Sequence, residues 1–209
     1  MKMTNEQREL LTIIMNNKET LEELLKATST QQKQAKDLQM KESISLAGIA
    51  WSKFAEDVEG NAYMLADEII YTEKFGDSND WRESPLRNKL NNELYQKIVE
   101  ELGADSLITI QTDLLSYDGL SDYGKCEDMC SLLTHDLYRN NRENIKNFEQ
   151  YFWTCTPDST PSGRGASFVR YVYSNGYVGY DRCGWSGGSV RPFFILKSDV
   201  FVSCERVED

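Results

Sequence analysis

The chain is most distinctive between residues 153 and 196, which read WTCTPDSTPSGRGASFVRYVYSNGYVGYDRCGWSGGSVRPFFIL. The 209-residue chain has a formal net charge of −11, but residues 151–196 carry four arginines against two aspartates, a local net charge of +2. This window also holds seven of the thirteen glycines and a dense set of Tyr, Phe and Trp. Aromatic rings with polar tips, small spacers and few charges are typical of binding surfaces and poorly suited to catalysis. We therefore expect a ligand-binding module that is not an enzyme and uses no cofactor.

The centre of this window, SNGY at 174–177, predicts a β-hairpin. An Asn-Gly pair tolerates the positive φ angles of a tight two-residue turn. With Asn-Gly as the loop, Tyr171 lies opposite Tyr180, and Arg170 lies opposite Asp181. Cross-strand aromatic pairs and opposite-charge pairs each contribute roughly 0.2–1 kcal/mol, so this register is self-consistent.

The predicted register divides the hairpin into two faces, neither of them purely apolar. One face would carry Val169, Tyr171, Tyr173, Val178, Tyr180 and Arg182. The other would carry Phe168, Arg170, Val172, Ser174, Tyr177, Gly179 and Asp181. The sequence does not decide which face is displayed to a ligand. Any single Tyr is equally well explained as a residue that covers the core at the sheet edge. As a group they favour a recognition surface, and the candidate ligand-binding residues are Arg170, Tyr171, Tyr173, Tyr177, Tyr180, Asp181, Arg182 and Trp185.

The N-terminal part of the chain predicts a helix over about residues 4–26. Its apolar seam has a heptad-like spacing with one polar residue in the middle, and it comprises Leu10, Ile14, Asn17, Leu21 and Leu24. Such a seam fits a stalk that joins copies of the chain into a homo-oligomer, and it equally fits an amphipathic helix lying on its own domain. Residues 27–42 are polar and are typical of a linker or a fraying helix end. We therefore divide the chain into an N-terminal helix and linker at 1–42 and a ligand-binding domain at 43–209.

The remaining pattern predicts an α+β domain. Residues 43–51 and 62–71 are short apolar runs that indicate buried strands. A helix is expected after Ser84, which can cap it, and Gly103 can end it. A second helix is expected to begin after Thr134, and the C-terminal half is rich in strands. Strand–helix–strand segments followed by a run of strands are typical of this class.

Composition excludes several classes of protein. An acidic chain without a basic stripe is not expected to bind nucleic acid. No run approaches the roughly 20 apolar residues needed to cross a bilayer, so membrane insertion is not expected. The N-terminus lacks the layout of a signal peptide, which predicts synthesis in a cytosol and leaves a virion-associated protein open. Five cysteines and a single histidine predict neither a closed disulfide framework nor a zinc site.

Five segments occur in an order that resembles a known family. They are WRESPLRNKLN at 81–91, SLLTHDLYR at 131–139, WTCTP at 153–157, SNGYV at 174–178 and VRPFFIL at 190–196. Over residues 43–204 the chain is similar to the C-type-lectin-like domains of unknown function that are common in gut bacteria and their phages. That family includes variable proteins of diversity-generating retroelements. The resemblance implies a C-type-lectin-like fold of short strands, two helices and a strand-rich C-terminal half, here with an added N-terminal helix.

In such variable proteins, the resemblance implies a hypervariable patch just before the final Val-Arg-Pro strand. Mutagenesis there acts on adenines, and residues 170–186 are close to the resulting repertoire of Tyr, Ser, Asp, Gly, Arg and Cys. A rigid sheet can present such side chains to water without affecting the core. We therefore expect an unknown protein or glycan ligand, bound either at a phage receptor-binding tip or by a bacterial binder.

Two other functions occur on lectin-like scaffolds and stay open as alternatives. A formylglycine-generating-enzyme-like oxidase uses a cysteine pair, for which Cys183 and Cys204 are loose candidates. A calcium-dependent sugar lectin needs clustered carboxylate and amide oxygens, which residues 118–128 could supply. His135 is expected at a helix start as a surface or capping residue rather than as a base. We assign no residue as a metal ligand.

Overall fold

The structure, a computed structural model, describes Lys18 and residues 31–204. The N-terminal helix expected at 4–26 therefore lies outside the described residues, apart from Lys18, which is helical. Strands predominate in the described part and two helical regions accompany them, so the expected α+β class is confirmed. No helix in this part of the chain is long and apolar enough to span a membrane.

Residues 31–204 form fifteen strands and three short α-helices, numbered in chain order. The strands are β1 (Gln31–Gln34), β2 (Ser43–Leu46), β3 (Ile49–Glu56), β4 (Ala62–Ala66), β5 (Tyr71–Thr72), β6 (Leu107–Ile108), β7 (Ile110–Asp113), β8 (Lys125–Asp128), β9 (Ser131–Leu132), β10 (Phe152–Pro157), β11 (Phe168–Val172), β12 (Val178–Arg182), β13 (Ser189–Val190), β14 (Pro192–Leu196) and β15 (Phe201–Cys204). The helices are α1 (Pro85–Lys89), α2 (Tyr95–Leu102) and α3 (His135–Asn140), and a π-helical turn (Leu90–Leu94) joins α1 to α2.

The larger sheet brings the two ends of the described chain together. Its strand order is β1-β15-β2-β3-β4-β14-β6, and β9 also pairs with β14. β1 runs antiparallel to β15, with Gln31 opposite Cys204 and Gln34 opposite Phe201. Residues 31–34 therefore form a strand instead of the linker expected there, because their backbone groups pair with the last described strand.

The segment expected as one strand at 43–51 is instead the hairpin β2–β3. Ala47 and Gly48 have positive φ angles, 55° and 72°, and form the two-residue turn between the strands. A turn of this kind matches the twist of a hairpin. The turn residues are Ala-Gly rather than Asn-Gly or Asp-Gly, so the sequence did not predict it. The segment expected as one strand at 62–71 also divides, into β4 in the larger sheet and β5 in the smaller one.

The two helices predicted within the domain are confirmed. The Ser84 Oγ accepts a hydrogen bond from the Leu86 N–H at 3.2 Å and caps α1. Gly103, with a φ of 90°, ends α2. The Thr134 Oγ1 accepts a hydrogen bond from the Leu137 N–H at 3.0 Å and caps α3. Both helices therefore begin where the capping residues place them.

The segment WRESPLRNKLN at 81–91 is organised around the buried carboxylate of Asp128. The Trp81 Nε1–H donates to Asp128 Oδ2 at 2.8 Å, and the Arg87 Nε–H donates to Oδ1 at 2.6 Å. Asn91, in the π-helical turn, donates from Nδ2 to the same carboxylate at 3.3 Å. This part of the chain therefore has a structural role, because it satisfies a charge that is costly to bury alone.

The smaller sheet carries the window singled out from the sequence. Its strand order is β12-β11-β10-β13-β5. β10 is buried along its whole length, and Trp153 within it has no exposed surface. The hairpin β11–β12 therefore lies at the edge of the sheet beside a buried strand, with β12 as the outermost strand.

Candidate functional site

The hairpin β11–β12 is confirmed, but its register is shifted by one residue from the predicted one. Arg170 lies opposite Tyr180 rather than Asp181, and Tyr171 lies opposite Gly179 rather than Tyr180. Because side chains alternate along a strand, a shift of one residue moves the side chains of one strand to the other face. The predicted faces are therefore wrong: Tyr171 and Tyr180, expected together, lie on opposite faces.

The turn explains the shift. The Gly176 N–H donates to the Tyr173 carbonyl at 2.8 Å, and the Tyr173 N–H donates to the Tyr177 carbonyl at 2.7 Å. The φ angle is positive at Gly176, 77°, but not at Asn175. The loop therefore has three residues, 174–176, and its glycine supplies the left-handed position, whereas the predicted two-residue turn needs a positive φ at both Asn and Gly.

The structure divides the eight candidate residues between two separate surfaces. The aromatic surface consists of Tyr171, Tyr173 and Trp185 gathered around a fourth residue, Tyr151. The arginine face consists of Phe168, Arg170, Tyr180 and Arg182. Tyr177 is exposed and follows the loop directly, opposite Tyr173, and Asp181 lies on the same side of the hairpin as Tyr171.

Tyr151 is the centre of the aromatic surface. Its ring centroid lies 4.5 Å from that of Tyr171, 6.4 Å from that of Tyr173 and 5.2 Å from that of Trp185. The rings of Tyr173 and Trp185 stack on it at interplanar angles of 17° and 22°. These two residues remain 45% and 42% exposed, whereas Tyr151 and Tyr171 are half-buried. The rings of Tyr173 and Trp185 therefore contact solvent, and the rings of Tyr151 and Tyr171 support them.

Glycines let the rings lie close to the backbone. A Cβ at Gly179 would stand 2.5 Å from the ring and the hydroxyl oxygen of Tyr171. A Cβ at Gly188 would overlap the buried ring of Trp153, which packs edge-on against Trp185 at 6.4 Å between centroids. The glycine content of this window therefore has a physical reason, because these glycines determine where the aromatic rings can lie.

The rings of the aromatic surface carry no charge, and the Asp181 carboxylate acts on them from beside the surface. Burial raises the pKa of Tyr151 and Tyr171, and the Asp181 carboxylate acts in the same direction. Both phenols are therefore neutral at neutral pH and can donate or accept a hydrogen bond. The Tyr151 hydroxyl is buried and has no hydrogen-bond partner in the part of the chain that the structure describes.

On the arginine face, Arg170 is buried and its charge is already paired. Its guanidinium forms an ion pair with Asp158 and lies 3.5 Å from the ring centroid of Tyr117 and 5.3 Å from that of Tyr180. Arg182 and Tyr180, by contrast, are exposed. Of the candidate residues, Arg170 therefore makes its main contacts inside the protein.

Two aromatic residues of this region, Tyr151 and Tyr117, are not among the residues predicted from the sequence. Tyr151 lies within the same window but has no feature that separates it from a core residue. Tyr117 lies in a loop between β7 and β8, and its contact with the hairpin runs through Arg170. Neither contact has a local pattern, so the sequence alone offers no signal for them.

The residues considered for catalysis are not activated. Burial raises the pKa of Cys183 and Cys204, so neither is a thiolate at neutral pH. Burial lowers the pKa of His135, whose ring packs edge-on against Tyr117 at 5.1 Å. Across Lys18 and residues 31–204, no cluster of three or more His, Cys, Asp or Glu side chains could hold a metal ion.

The aromatic surface lies outside four cavities of the described residues. None of these four cavities is lined by Tyr151, Tyr171, Tyr173 or Trp185. Small ligands bind in concave sites, whereas a surface of exposed rings is suited to a macromolecular partner. No protein-family model, no curated protein and no solved structure matches the chain.

Proposed function

We propose that this chain is a non-catalytic ligand-binding protein that recognises its partner through the aromatic surface. The observation that carries the proposal is the stacking of Tyr173 and Trp185 on Tyr151, which holds both rings toward solvent. Rings already held in one orientation lose little conformational entropy when a partner covers them. The partner that fits such a surface is a protein or a glycan chain.

From the resemblance we further propose a C-type-lectin-like frame whose hairpin is diversified by a retroelement. The pairing of β1 with β15, which joins the ends of the described chain, supports a closed frame that leaves the hairpin free to vary. Substitution of exposed side chains is compatible with an unchanged core, and the exposed aromatic residues of this region are Tyr173, Tyr177, Tyr180 and Trp185. A phage receptor-binding tip and a bacterial binder both suit such a protein.

The DNA next to the gene tests the retroelement part of this proposal. A reverse-transcriptase gene beside a near-copy of the coding region for residues 165–190 would support it. Neighbouring DNA that carries neither would contradict diversification while leaving the binding proposal to its own test.

The binding proposal is tested with labelled protein on arrays of bacterial surface glycans and surface proteins. The double variant Tyr173→Ser/Trp185→Ser is expected to weaken every signal of the wild type by about tenfold or more. Phe201→Ser is the matched control, because it removes an exposed aromatic side chain of β15 outside the aromatic surface. Signals that survive in the double variant, or that vanish equally in the control, would contradict the proposal.

A further inference from the structure

A second candidate site is a cavity of about 420 Å³ between β2, β3, β4 and the segment before β10. Phe54, Leu65 and Ile145 give it an apolar wall, and Arg191 also lines it. No residue of the hairpin β11–β12 takes part. A volume of this size is in the range that holds small molecules.

Arg191 is held in place by carbonyls and rings. It is 2% exposed, and its Nε–H donates to the Ala66 carbonyl at 2.7 Å. Its Nη1 donates to the Lys146 carbonyl, also at 2.7 Å. Its Cζ lies 4.4 Å from the ring centroid of Phe148 and 5.2 Å from that of Phe152. Carbonyl dipoles and ring faces neutralise a guanidinium only in part.

This buried cation forms no ion pair with a carboxylate of the described residues. Among the described residues, no Asp or Glu oxygen lies within 4.0 Å of the Arg191 guanidinium, and its Nη2 donates no hydrogen bond. Burial lowers the pKa of Arg191 to about 10, and the Asp67 carboxylate, which makes no direct contact with the guanidinium, only partly opposes this shift. Buried charges in proteins are ordinarily paired. The remaining N–H groups form the fork that matches the two oxygens of a carboxylate.

The charges around the cavity also favour an anion. Its lining includes three cations, Arg191, Lys41 and Lys146, against two carboxylates, Asp67 and Glu143. This excess of one positive charge lies in a chain whose net charge is −11. Asp67 already accepts hydrogen bonds from two serine hydroxyls at 2.7 Å, so its charge is partly satisfied.

We propose that this cavity binds a small organic carboxylate. Its two oxygens accept hydrogen bonds from the free N–H groups of Arg191. Its apolar part packs against Phe54, Leu65 and Ile145. The ligand supplies a carboxylate in direct contact with Arg191, whereas Asp67 acts on the guanidinium only from beyond 4.0 Å. The site is independent of the aromatic surface and of the function proposed for it.

The test is an NMR titration of the ¹⁵N-labelled protein with 3-methylbutanoate. The Arg191 Nε–Hε and Ile145 amide resonances are expected to shift and to saturate with a Kd on the order of 1 mM. The neutral amide 3-methylbutanamide has the same shape without the charge, so it is expected to leave both resonances in place. Inorganic phosphate is titrated in parallel as an anion without an apolar part.

Two variants with exposed substitutions keep the test independent of folding. Lys41→Ala/Lys146→Ala removes the two exposed cations of the lining and is expected to weaken binding by about threefold. Lys97→Ala, an exposed lysine of α2, is the matched control and is expected to leave the Kd unchanged. The proposal would be overturned by no saturable shift, by equal shifts with the amide, or by saturation with phosphate but not with 3-methylbutanoate.

Discussion

Tyr171 lies across the backbone of Gly179, so that a Cβ at position 179 would stand 2.5 Å from the tyrosine hydroxyl oxygen. The two residues are directly opposite in the hairpin β11–β12. Tyr151 packs against the Tyr171 ring, with 4.5 Å between centroids. The Tyr171 ring therefore has little room to move. The aromatic surface requires a glycine at position 179.

Replacing Gly179 by Ala is expected to lower the free energy of unfolding by about 1–3 kcal/mol, because the Tyr171 ring must leave its place. The control is Gly184→Ala, an exposed glycine whose Cβ would meet no atom within 4 Å. That change is expected to stay within about 0.5 kcal/mol. Urea-induced unfolding measures both, and equal stability of the two variants would contradict this packing.

The two arginines of the arginine face are expected to contribute differently to stability. Arg170→Met leaves the buried Asp158 carboxylate without its closest counter-ion and is expected to cost about 3 kcal/mol. Arg164 also pairs with Asp158 at 3.0 Å, but it is exposed and compensates only in part. Arg182→Met removes an exposed guanidinium and is expected to cost less than about 0.5 kcal/mol.

Thermal unfolding of both variants at equal protein concentration measures this difference. A larger loss in Arg182→Met than in Arg170→Met would show that the buried and exposed roles have been assigned to the wrong residues. A matching loss in both would show that the ion pair with Asp158 contributes little.

Asp128 is expected to be one of the most sensitive polar positions of the domain. In Asp128→Asn, an amide replaces a carboxylate that accepts hydrogen bonds from Trp81 and Arg87, and the loss is expected to be about 3 kcal/mol. Glu127→Gln is the matched control, because Glu127 is exposed and, within residues 31–204, its side chain accepts a hydrogen bond only from Gln111. Chemical unfolding should separate the two, and a near-neutral Asp128→Asn would refute this role.

The helices and the existence of the hairpin could be predicted because their signals are local. Ser84 and Thr134 cap helices through the N–H groups of residues two and three positions on, so the sequence itself carries the pattern. The register of the hairpin could not be predicted. SNGY at 174–177 fits a two-residue and a three-residue loop, which differ in the φ angle of Asn175. A positive φ at Asn175 would cost about 1–2 kcal/mol, and the packing of the whole sheet determines which of the two loops forms.

The clusters around Asp128 and Tyr151 could not be predicted because they join residues far apart in the chain. Trp81 and Arg87 reach Asp128 across 47 and 41 positions. Tyr151 becomes the centre of the aromatic surface only once β10 and β11 pair and Trp185 returns over it. The sequence could therefore place Tyr171, Tyr173 and Trp185 among the candidate residues, but it could not identify Tyr151 as their centre or show which residues share a face.

The cysteines predict a pH dependence of stability. Burial raises the pKa of all five thiols, that of Cys126 from an ordinary value of 9.0 to about 12. In the unfolded chain they ionise near their ordinary pKa, so above about pH 9 the unfolded state holds fewer protons than the folded one. The free energy of unfolding should therefore be steady between about pH 7 and 8 and fall as the pH rises from about 9 toward 12. Constant stability across that window would contradict the burial of the thiols.

The reactivity of the same thiols distinguishes a binding protein from an oxidase. At pH 8 the native cysteines are expected to react with iodoacetamide at least about tenfold more slowly than those of the urea-unfolded protein. Mass spectrometry of the modified peptides identifies each site. A native Cys183 or Cys204 that reacts faster than in the unfolded chain would favour the oxidase alternative.

Iodide quenching of tryptophan fluorescence tests most directly whether the frame holds its aromatic surface toward water. Trp51, Trp81 and Trp153 have no exposed surface, whereas Trp185 is 42% exposed. We predict one quenchable fraction in the wild type, which Trp185→Phe removes while the unfolding transition stays in place. Quenching that persists in Trp185→Phe, or a wild type that iodide does not quench, would contradict an outward-facing aromatic surface.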